Sequence, residues 1–429
     1  MISEDRKFKV EGKETGMKIR SVRPYEIEQI IDLQCIAFQP NGHDRYRQYI
    51  EGDSSYHYQL TRVVSVEGQI VATLRIWDRR IQIGATTVPM AGIGGVCADP
   101  EHRGLGYGSA LMRNTVRHLS TLGYDLGVLF TIIPCRFYQR LGWHPLPLSG
   151  FKLEVIDTCH STSTDWQVAP FSEATDLNQV VNLYDQDSGR YSGATVRTRS
   201  YWEMRPSRIR GILPTVVARL DGQPGGYLNY EIDGTEAKIR EVGYDRQRPV
   251  ALMALVNHLL ADCQKRGVQR ITGGISHQHP IVGLMQKQSK GDLSLTGSGD
   301  MMIFAVNLPS LLRRLLPEWQ LRLDWAQRSF PPLSLRLEQN NQQAILHLPP
   351  DGRLKVFNQN LPSSEHSDPL GLKIPEMAFW SLLYGESSWE QLLPALAVHN
   401  NLEITDRVSD LMSVLFPSRT VIFWSPDHY

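Results

Sequence analysis

The chain has 429 residues, with 45 Lys and Arg side chains against 45 Asp and Glu side chains, so its formal charge is zero. This length is too great for one hydrophobic core and predicts two to four domains. The balanced charge excludes a general attraction to nucleic acid, and no apolar run approaches the roughly 18 residues that a membrane helix needs, so we expect a soluble protein.

The N-terminal residues and the cysteines indicate a cytoplasmic protein. Residues 1–16 mix acids and bases without an apolar segment, which is typical of a flexible tail and not of a signal peptide. The cysteines are odd in number, widely spaced and without a CxxC pair, which predicts reduced thiols and no zinc site. They are Cys35, Cys97, Cys135, Cys159 and Cys263.

The residues that follow the tail predict an α/β domain with a mixed sheet. Apolar residues recur at helical spacing in two segments, and short apolar runs bounded by turn residues indicate strands. In chain order we expect a strand at 18–22, a helix at 26–38, a polar stretch that contains Asn41, Gly42 and Asp53, strands at 58–66, 70–76, 81–83 and 90–98, a helix at about 107–122, a buried strand at 126–133 and a short helix at 135–141.

The middle of the chain repeats this pattern. The segment Glu26–Leu33 resembles Asp176–Leu183, and Ala110–Met112 resembles Ala251–Met253, with strand-like runs at 215–220, 226–232 and 238–242 between the two helices. The alternative is chance similarity between amphipathic helices, but the matching order of elements favours a diverged copy at about 160–300.

The last segment, at about 300–429, predicts an α+β domain without a copy of the first pattern. We expect a strand at 301–306, a helix at 308–316 that ends at Pro317, a hairpin at 334–348 and a strand at 353–357. Helices are expected at 375–384, 390–399 and 404–415.

The most informative motif lies between a strand that ends at Ala98 and a helix that begins near Gly108. Glycines there allow several N–H groups to point at one anion, which the helix dipole also favours. A P-loop needs Lys and then Ser or Thr after the last glycine, and Ser109 and Ala110 do not fit. A dinucleotide fingerprint fits only loosely, because Asp125 precedes its strand.

The acyl-CoA signature R-x-x-G-x-G/A is satisfied by Arg103, Gly106 and Gly108, and a purely structural glycine turn is the remaining alternative. Here the chain resembles the GNAT superfamily of acetyl-CoA-dependent N-acetyltransferases. A second match is Pro134–Trp143, in which the resemblance implies that Tyr138 protonates the departing thiolate. The resemblance also implies pantetheine contacts at Val96, Cys97 and Ala98, and pyrophosphate contacts at Arg103, Gly104, Gly106, Tyr107 and Gly108.

The whole architecture resembles the Eis-type acetyltransferases (enhanced intracellular survival family). This implies a catalytic GNAT domain at 17–158, a degenerate GNAT-like domain at 159–299, a sterol-carrier-protein-like domain at 300–429, and a homo-oligomer, namely a hexamer. The second copy has Glu241–Pro249 where glycines would be needed, so we expect it to be a scaffold that does not bind CoA.

The same resemblance implies that the C-terminal carboxylate of Tyr429 is the general base for the substrate amine. Family members that acetylate polyamine-like antibiotics hold them with acids, and the corresponding positions here carry Pro40 and His428. A polycation needs carboxylates, which Asp427, Asp44 and Asp53 could supply in their place.

The sequence therefore predicts direct transfer of acetyl from acetyl-CoA to a primary amine of an aminoglycoside, a polyamine or a lysine. The alternatives are a non-catalytic acyl-CoA or lipid-binding sensor that uses the third domain, and a scaffold with a vestigial GNAT domain. Weaker candidates are His277 and His279 as metal ligands without a third partner, Cys97 as a nucleophile, and the basic patch Arg205–Arg210. No metal is expected.

Overall fold

The computed structural model describes residues 9–10, 13–14, 16–131, 133–155, 164–203, 215–361, 369–400 and 404–428. Within the expected tail, β1 (Lys9–Val10) and β2 (Lys13–Glu14) pair as a small antiparallel hairpin. Cys159 and the basic patch at 205–210 lie outside the described residues. None of the described helices is both long enough and apolar enough to cross a membrane.

The first large sheet has seven strands, and four helices accompany it. The strands, in spatial order, are β3 (Met17–Ser21), β4 (Thr61–Val66), β5 (Gln69–Ile83), β6 (Thr86–Ala98), β7 (Leu126–Phe130), β16 (Met301–Ala305) and β8 (His144–Pro145). The helices are α1 (Ile27–Ala37), α2 (His43–Glu51), α3 (Tyr107–Thr121) and α4 (Arg136–Gln139).

The second large sheet also has seven strands. In spatial order they are β10 (Gln167–Pro170), β11 (Thr215–Leu220), β12 (Gln223–Asp233), β13 (Glu236–Tyr244), β14 (Arg270–Gly273), β9 (Leu148–Glu154) and β15 (Leu293–Ser298). Its helices are α5 (Glu173–Ser188), α6 (Arg199–Glu203), α7 (Val250–Arg266) and α8 (Pro280–Ser289). In both sheets the fourth and fifth strands are parallel, so the two sheets share one order of pairing.

The two large sheets exchange a strand. Strand β9 leaves the first domain and pairs antiparallel with both β14 and β15, while β16 returns to the first sheet and pairs with β7 and β8. The expected boundaries at 158 and 300 therefore assign both strands to the wrong sheet. Strand pairing is non-local, and a buried apolar run has the same sequence pattern in either sheet.

The third domain is α+β, with a four-stranded sheet under four helices. The strands, in spatial order, are β19 (Lys355–Phe357), β18 (Gln342–Leu348), β17 (Leu333–Gln339) and β20 (Leu370–Gly371). The helices are α9 (Leu308–Trp325), α10 (Glu376–Tyr384), α11 (Trp389–Asn400) and α12 (Asp406–Leu415). One apolar core joins this domain to the first sheet, from Ile81 and Leu126 through Leu308 to Trp380.

Three local predictions are wrong. Helix α9 does not end at Pro317 but continues to Trp325, because buried Leu315 and Trp319 hold it against the core on both sides of the proline. The polar stretch after α1 contains helix α2, and the strands expected at 70–76 and 81–83 are the single strand β5.

The turn between β17 and β18 attaches the third domain to the first sheet. Asn340 and Asn341 both have positive φ, at 49° and 59°, which asparagine tolerates better than most residues. The Asn340 side chain accepts a hydrogen bond from the Ala305 N–H at 2.9 Å and donates one to the Gly142 carbonyl at 2.7 Å. It therefore joins β16 to the loop that precedes β8.

We expect Asn340→Gly to weaken this attachment, because it keeps a residue that tolerates positive φ but leaves two backbone groups without their partner. The cost should be about 1–3 kcal/mol, measured as a lower midpoint of thermal unfolding. Asn341→Gly is the matched control, since no side-chain hydrogen bond of Asn341 is made within the described residues. Equal midpoints for the two variants would contradict this role of Asn340.

Candidate active site

Strands β6 and β7 separate in the middle of the first sheet. They pair in parallel only from Met90 to Ile93, opposite Leu126 to Leu129, while β6 continues to Ala98. On its other side β6 stays paired with β5, with a register shift where Gly95 adopts a φ of 60°. The edge of Val96, Cys97 and Ala98 that faces β7 therefore has no strand partner within the described residues, and an extended ligand could pair with it.

A turn of positive-φ glycines connects the end of β6 to helix α3. The φ values of Gly104 and Gly106 are 80° and 81°, and a Cβ at either position would meet no heavy atom within 4 Å. Backbone conformation and not space therefore requires glycine there. The Ala110 N–H donates to the Gly106 carbonyl at 3.0 Å, so the N–H groups of Tyr107, Gly108 and Ser109 precede the hydrogen-bonded part of the helix. Exposed Arg103 completes a site suited to an anion.

Tyr138 lies on the short helix α4 beside this turn. Its ring meets Phe137 edge-on with centroids 4.9 Å apart, and the Phe137 ring lies 3.8 Å from where a Cβ on Gly108 would be. The Tyr138 hydroxyl makes no hydrogen bond with the described residues. Burial raises the pKa of Tyr138 to about 12. The phenol is therefore protonated at neutral pH and can act as a proton donor.

Among the weaker sequence candidates that the structure describes, Cys97 lies at this site. Its side chain is buried, and this burial raises the pKa of the thiol to about 12. A neutral thiol is a poor nucleophile. The geometry does not favour a covalent intermediate on Cys97.

His279 lies in the second domain, where its Nδ1 atom accepts the Ile281 N–H at 3.2 Å and caps α8.

A cavity of about 360 Å³ opens between helices α1 and α2 and strands β5, β6 and β7. Its strand wall includes Gly95 and Phe130, which belong to the two strands that separate. Its helical wall is mainly aromatic and polar. The lining residues are Ile30, Gln34, Phe38, Gln39, Arg45, Tyr46, Tyr49, Ile50, Thr61, Arg75, Trp77, Gly95 and Phe130.

Comparison with known proteins agrees with this geometry. Residues 18–146 match the acetyltransferase (GNAT) domain family, and the match ends just before β9 enters the second sheet. No curated protein sequence matches the chain. The chain is an acyltransferase.

Solved structures extend the likeness in fold to nearly the whole chain. A probable N-acyltransferase from Enterococcus faecalis V583 has a TM-score of 0.71 at 17% identity, covering 95% of this chain and 99% of the other. A GCN5-related N-acetyltransferase from Anabaena variabilis has a TM-score of 0.70 at 19% identity, covering 96% and 100%. Eis1 from Mycobacterium abscessus has a TM-score of 0.65 at 14% identity, also covering 96% and 100%.

Buried charges lie under the cavity of this acyltransferase. Asp53 accepts from Arg75 at 2.7 Å and from Arg79 at 3.3 Å, and all three side chains are almost fully buried. Burial alone would raise the pKa of Asp53, but Arg79 and Arg75 outweigh it and hold that pKa below its ordinary value. Asp53 is therefore ionised, and its carboxylate forms ion pairs with the guanidinium groups of Arg75 and Arg79.

The end of the chain is held by a buried ion cluster in the second domain. Arg197 donates to Glu241 at 2.9 and 2.7 Å and to Asp427 at 2.9 and 2.8 Å. The Tyr201 hydroxyl donates to Asp427 at 2.6 Å, and the Arg197 side chain has no exposed surface. We call Arg197, Glu241, Tyr201 and Asp427 the C-terminal clamp.

The residue after the clamp contacts the cavity side of the first domain. The His428 ring stacks on Phe130, with centroids 3.8 Å apart and planes inclined by 15°. Phe130 lines the cavity, so the terminal segment runs from the second domain to the cavity of the GNAT domain. Tyr429, the candidate base, lies outside the described residues.

Sequence reasoning missed the residues that only tertiary structure brings together. Helix α2 supplies Arg45, Tyr46 and Tyr49 to the cavity, although its sequence is mainly polar. Arg197 and Glu241 have no local motif, because their partner Asp427 lies 230 residues beyond Arg197 in the chain. The available signal in the sequence was a charged residue close to aromatic residues, since Tyr201 and Trp202 follow Arg197 and are buried with it.

We expect Asp427→Ala to release the terminal segment, because it leaves Arg197 buried with only one carboxylate. Breaking a buried pair costs about 3–5 kcal/mol, so carboxypeptidase should remove the last residues much faster than in the wild type. Asp410→Ala is the control, because its carboxylate is 60% exposed and 3.7 Å from Arg328. Equal rates of carboxypeptidase digestion for Asp427→Ala and the wild type would contradict this role of the clamp.

Proposed function

We propose that the protein transfers the acetyl group of acetyl-CoA directly to a primary amine. The observation that carries the proposal is the glycine turn at the start of α3, next to the free edge of β6 and the protonated Tyr138. The donor's pyrophosphate would lie on the N–H groups of Gly104, Gly106, Tyr107 and Gly108, with Arg103 beside them. Its pantetheine amides would pair with residues 96–98.

The acceptor amine would enter through the cavity, whose strand wall ends where β6 and β7 separate. The amine nitrogen attacks the thioester carbonyl, the N–C bond forms and the C–S bond breaks. A backbone N–H near Val96–Ala98 polarises the carbonyl oxygen. The Tyr138 hydroxyl gives its proton to the leaving thiolate, so no metal or covalent intermediate is needed.

The proton of the amine would pass to the C-terminal carboxylate of Tyr429, directly or through water. The clamp at Asp427 and the stacking of His428 on Phe130 support this role, because they hold the two preceding residues beside the cavity. A base held by a rigid, buried cluster avoids the cost of ordering a free terminus during the reaction.

We further propose the Eis-type architecture, with residues 159–299 as a GNAT-like copy that does not bind CoA. The shared order of the two large sheets supports a copy. The segment Glu241–Pro249 supports the proposal that this copy does not bind CoA. Glu241 binds Arg197, and no glycine with positive φ lies between Glu241 and α7. The sterol-carrier-protein-like third domain and the hexamer are proposed from the resemblance, and the cytoplasmic location from the cysteine pattern and the N-terminal composition.

A lipid-binding sensor is the weaker function. The core of the third domain is filled by large side chains with almost no exposed surface, so a lipid chain that entered this core would have to displace them. They are Trp319, Phe379, Trp380, Trp389 and Phe416.

We expect Tyr138→Phe to lower kcat by about 10²–10⁴-fold, because the leaving thiolate loses its proton donor. Steady-state assays of CoA release with a panel of amines measure this. Tyr384→Phe is the control, since the buried Tyr384 hydroxyl has no hydrogen-bond partner within the described residues. A pKa of about 12 keeps Tyr138 protonated, so wild-type kcat should show no loss from this group between pH 7 and pH 10. An unchanged kcat in Tyr138→Phe would remove Tyr138 from the mechanism.

Adding one glycine after Tyr429 should lower kcat by about 10²-fold or more, because it moves the carboxylate away from the amine. Tyr429→Phe keeps both ring and carboxylate and should retain most of the activity. If the extended protein turns over as fast as Tyr429→Phe, the terminal carboxylate is not the base.

A further inference from the structure

Among the described residues, the lining of the cavity that would receive the acceptor includes two guanidinium groups and no carboxylate, and the Tyr429 carboxylate proposed as base is assigned to the reacting amine. Arg45 and Arg75 belong to its lining, and the remaining lining residues are neutral. We infer that the acceptor is a small amine with one amino group and a carboxylate at its far end, and not a polycation. This inference rests on the proposed acetyl transfer and names its substrate class.

The acids that could have held a polycation are committed elsewhere. Asp53 is shared by Arg75 and Arg79, and Asp427 is bound by Arg197 and Tyr201. Asp44, the third candidate, lies on α2 but does not line the cavity. Beyond the reacting amine, the further ammonium groups of a polycation would therefore meet the charge of Arg45 and no free carboxylate of the described lining, which opposes their entry.

Arg45 has the properties of an anion receptor. Its Nε donates to the Tyr49 hydroxyl at 2.7 Å and its Nη1 to the Gln39 side-chain oxygen at 3.0 Å. Both partners are neutral, and Arg45 forms no ion pair with the described residues. The guanidinium is thus fixed in position on the Tyr49 ring, 5.4 Å from its centroid, while its charge is not neutralised and its Nη2 group remains available.

The walls of the cavity give the acceptor a direction. Gly95 and Phe130 lie on the strands where the thioester would be, so the amino group belongs at that wall. Arg45 lies on helix α2, so the carboxylate belongs at the helical wall. Phe38, Tyr46 and Trp77 also line the cavity and supply aromatic surface, which favours an apolar or aromatic body in a volume of about 360 Å³.

The decisive comparison uses two acceptors that differ only in charge. We expect wild-type kcat/KM to be at least about tenfold higher for 4-(2-aminoethyl)benzoate than for 4-(2-aminoethyl)benzamide, with spermine the poorest acceptor. Arg45→Gln should lower the value for the benzoate about tenfold and leave the benzamide within about twofold. Faster turnover of spermine than of the benzoate, or an unchanged benzoate-to-benzamide ratio in Arg45→Gln, would overturn the inference.

Arg47→Gln is the matched control. Arg47 lies on the same helix, but it pairs with Glu28 at 2.7 Å and does not line the cavity, so both acceptors should behave as in the wild type. The benzoate-to-benzamide ratio of kcat/KM could instead fall as much in Arg47→Gln as in Arg45→Gln. The preference would then come from the overall positive charge of the surface, and the proposed site at Arg45 would be wrong.

A binding measurement separates this inference from the proposed function. N-acetylated 4-(2-aminoethyl)benzoate cannot react, and calorimetry should show about tenfold weaker binding of it to Arg45→Gln than to the wild type or Arg47→Gln. If no amine is acetylated but this difference is found, acetyl transfer is wrong and the anion site stands. If amines are acetylated but Arg45→Gln binds this compound as tightly as the wild type does, acetyl transfer stands and the anion site is wrong.

Discussion

A buried guanidinium group must be neutralised by carboxylates that it contacts directly. The position of the chain end in this protein depends on how Arg197 is neutralised. One carboxylate comes from the second sheet, at Glu241, and the other from the chain end, at Asp427. Because both are needed, the last turn of the chain must dock on the second domain. The second domain thereby fixes the position of the terminal segment that contacts the cavity of the first domain.

The same requirement also bears on the cavity, whose charged lining residues, within the described part of the chain, are both arginines. Asp53 lies between Arg75 and Arg79, and Asp427 is held in the clamp, so the buried acids near the cavity are engaged by arginines. Arg45, in contrast, donates to a phenol and an amide, which leave its charge intact. The overall charge balance therefore conceals a local excess of positive charge.

Local features of the sequence were sufficient to predict the glycine turn between β6 and α3. The turn with Gly104 and Gly106 is specified by residues next to each other, since only glycine adopts those φ values without strain. The acceptor side was not predictable in this way. Helix α2 has few apolar residues, the exchanged strands β9 and β16 fit either sheet by pattern, and Pro317 lies inside a helix that packing maintains. Each depends on partners that are distant in the chain.

The exchange of β9 and β16 also constrains the order of events during synthesis. Strand β7 receives its neighbour β16 only after about 170 further residues have been made. At ribosomal rates of about 5–20 residues per second this is a delay of roughly 10–35 s, during which an apolar edge of the first sheet waits unpaired. The acyltransferase domain is thus not a separable module. A nascent chain that pauses after the first domain exposes a strand edge that chaperones or another nascent copy can bind.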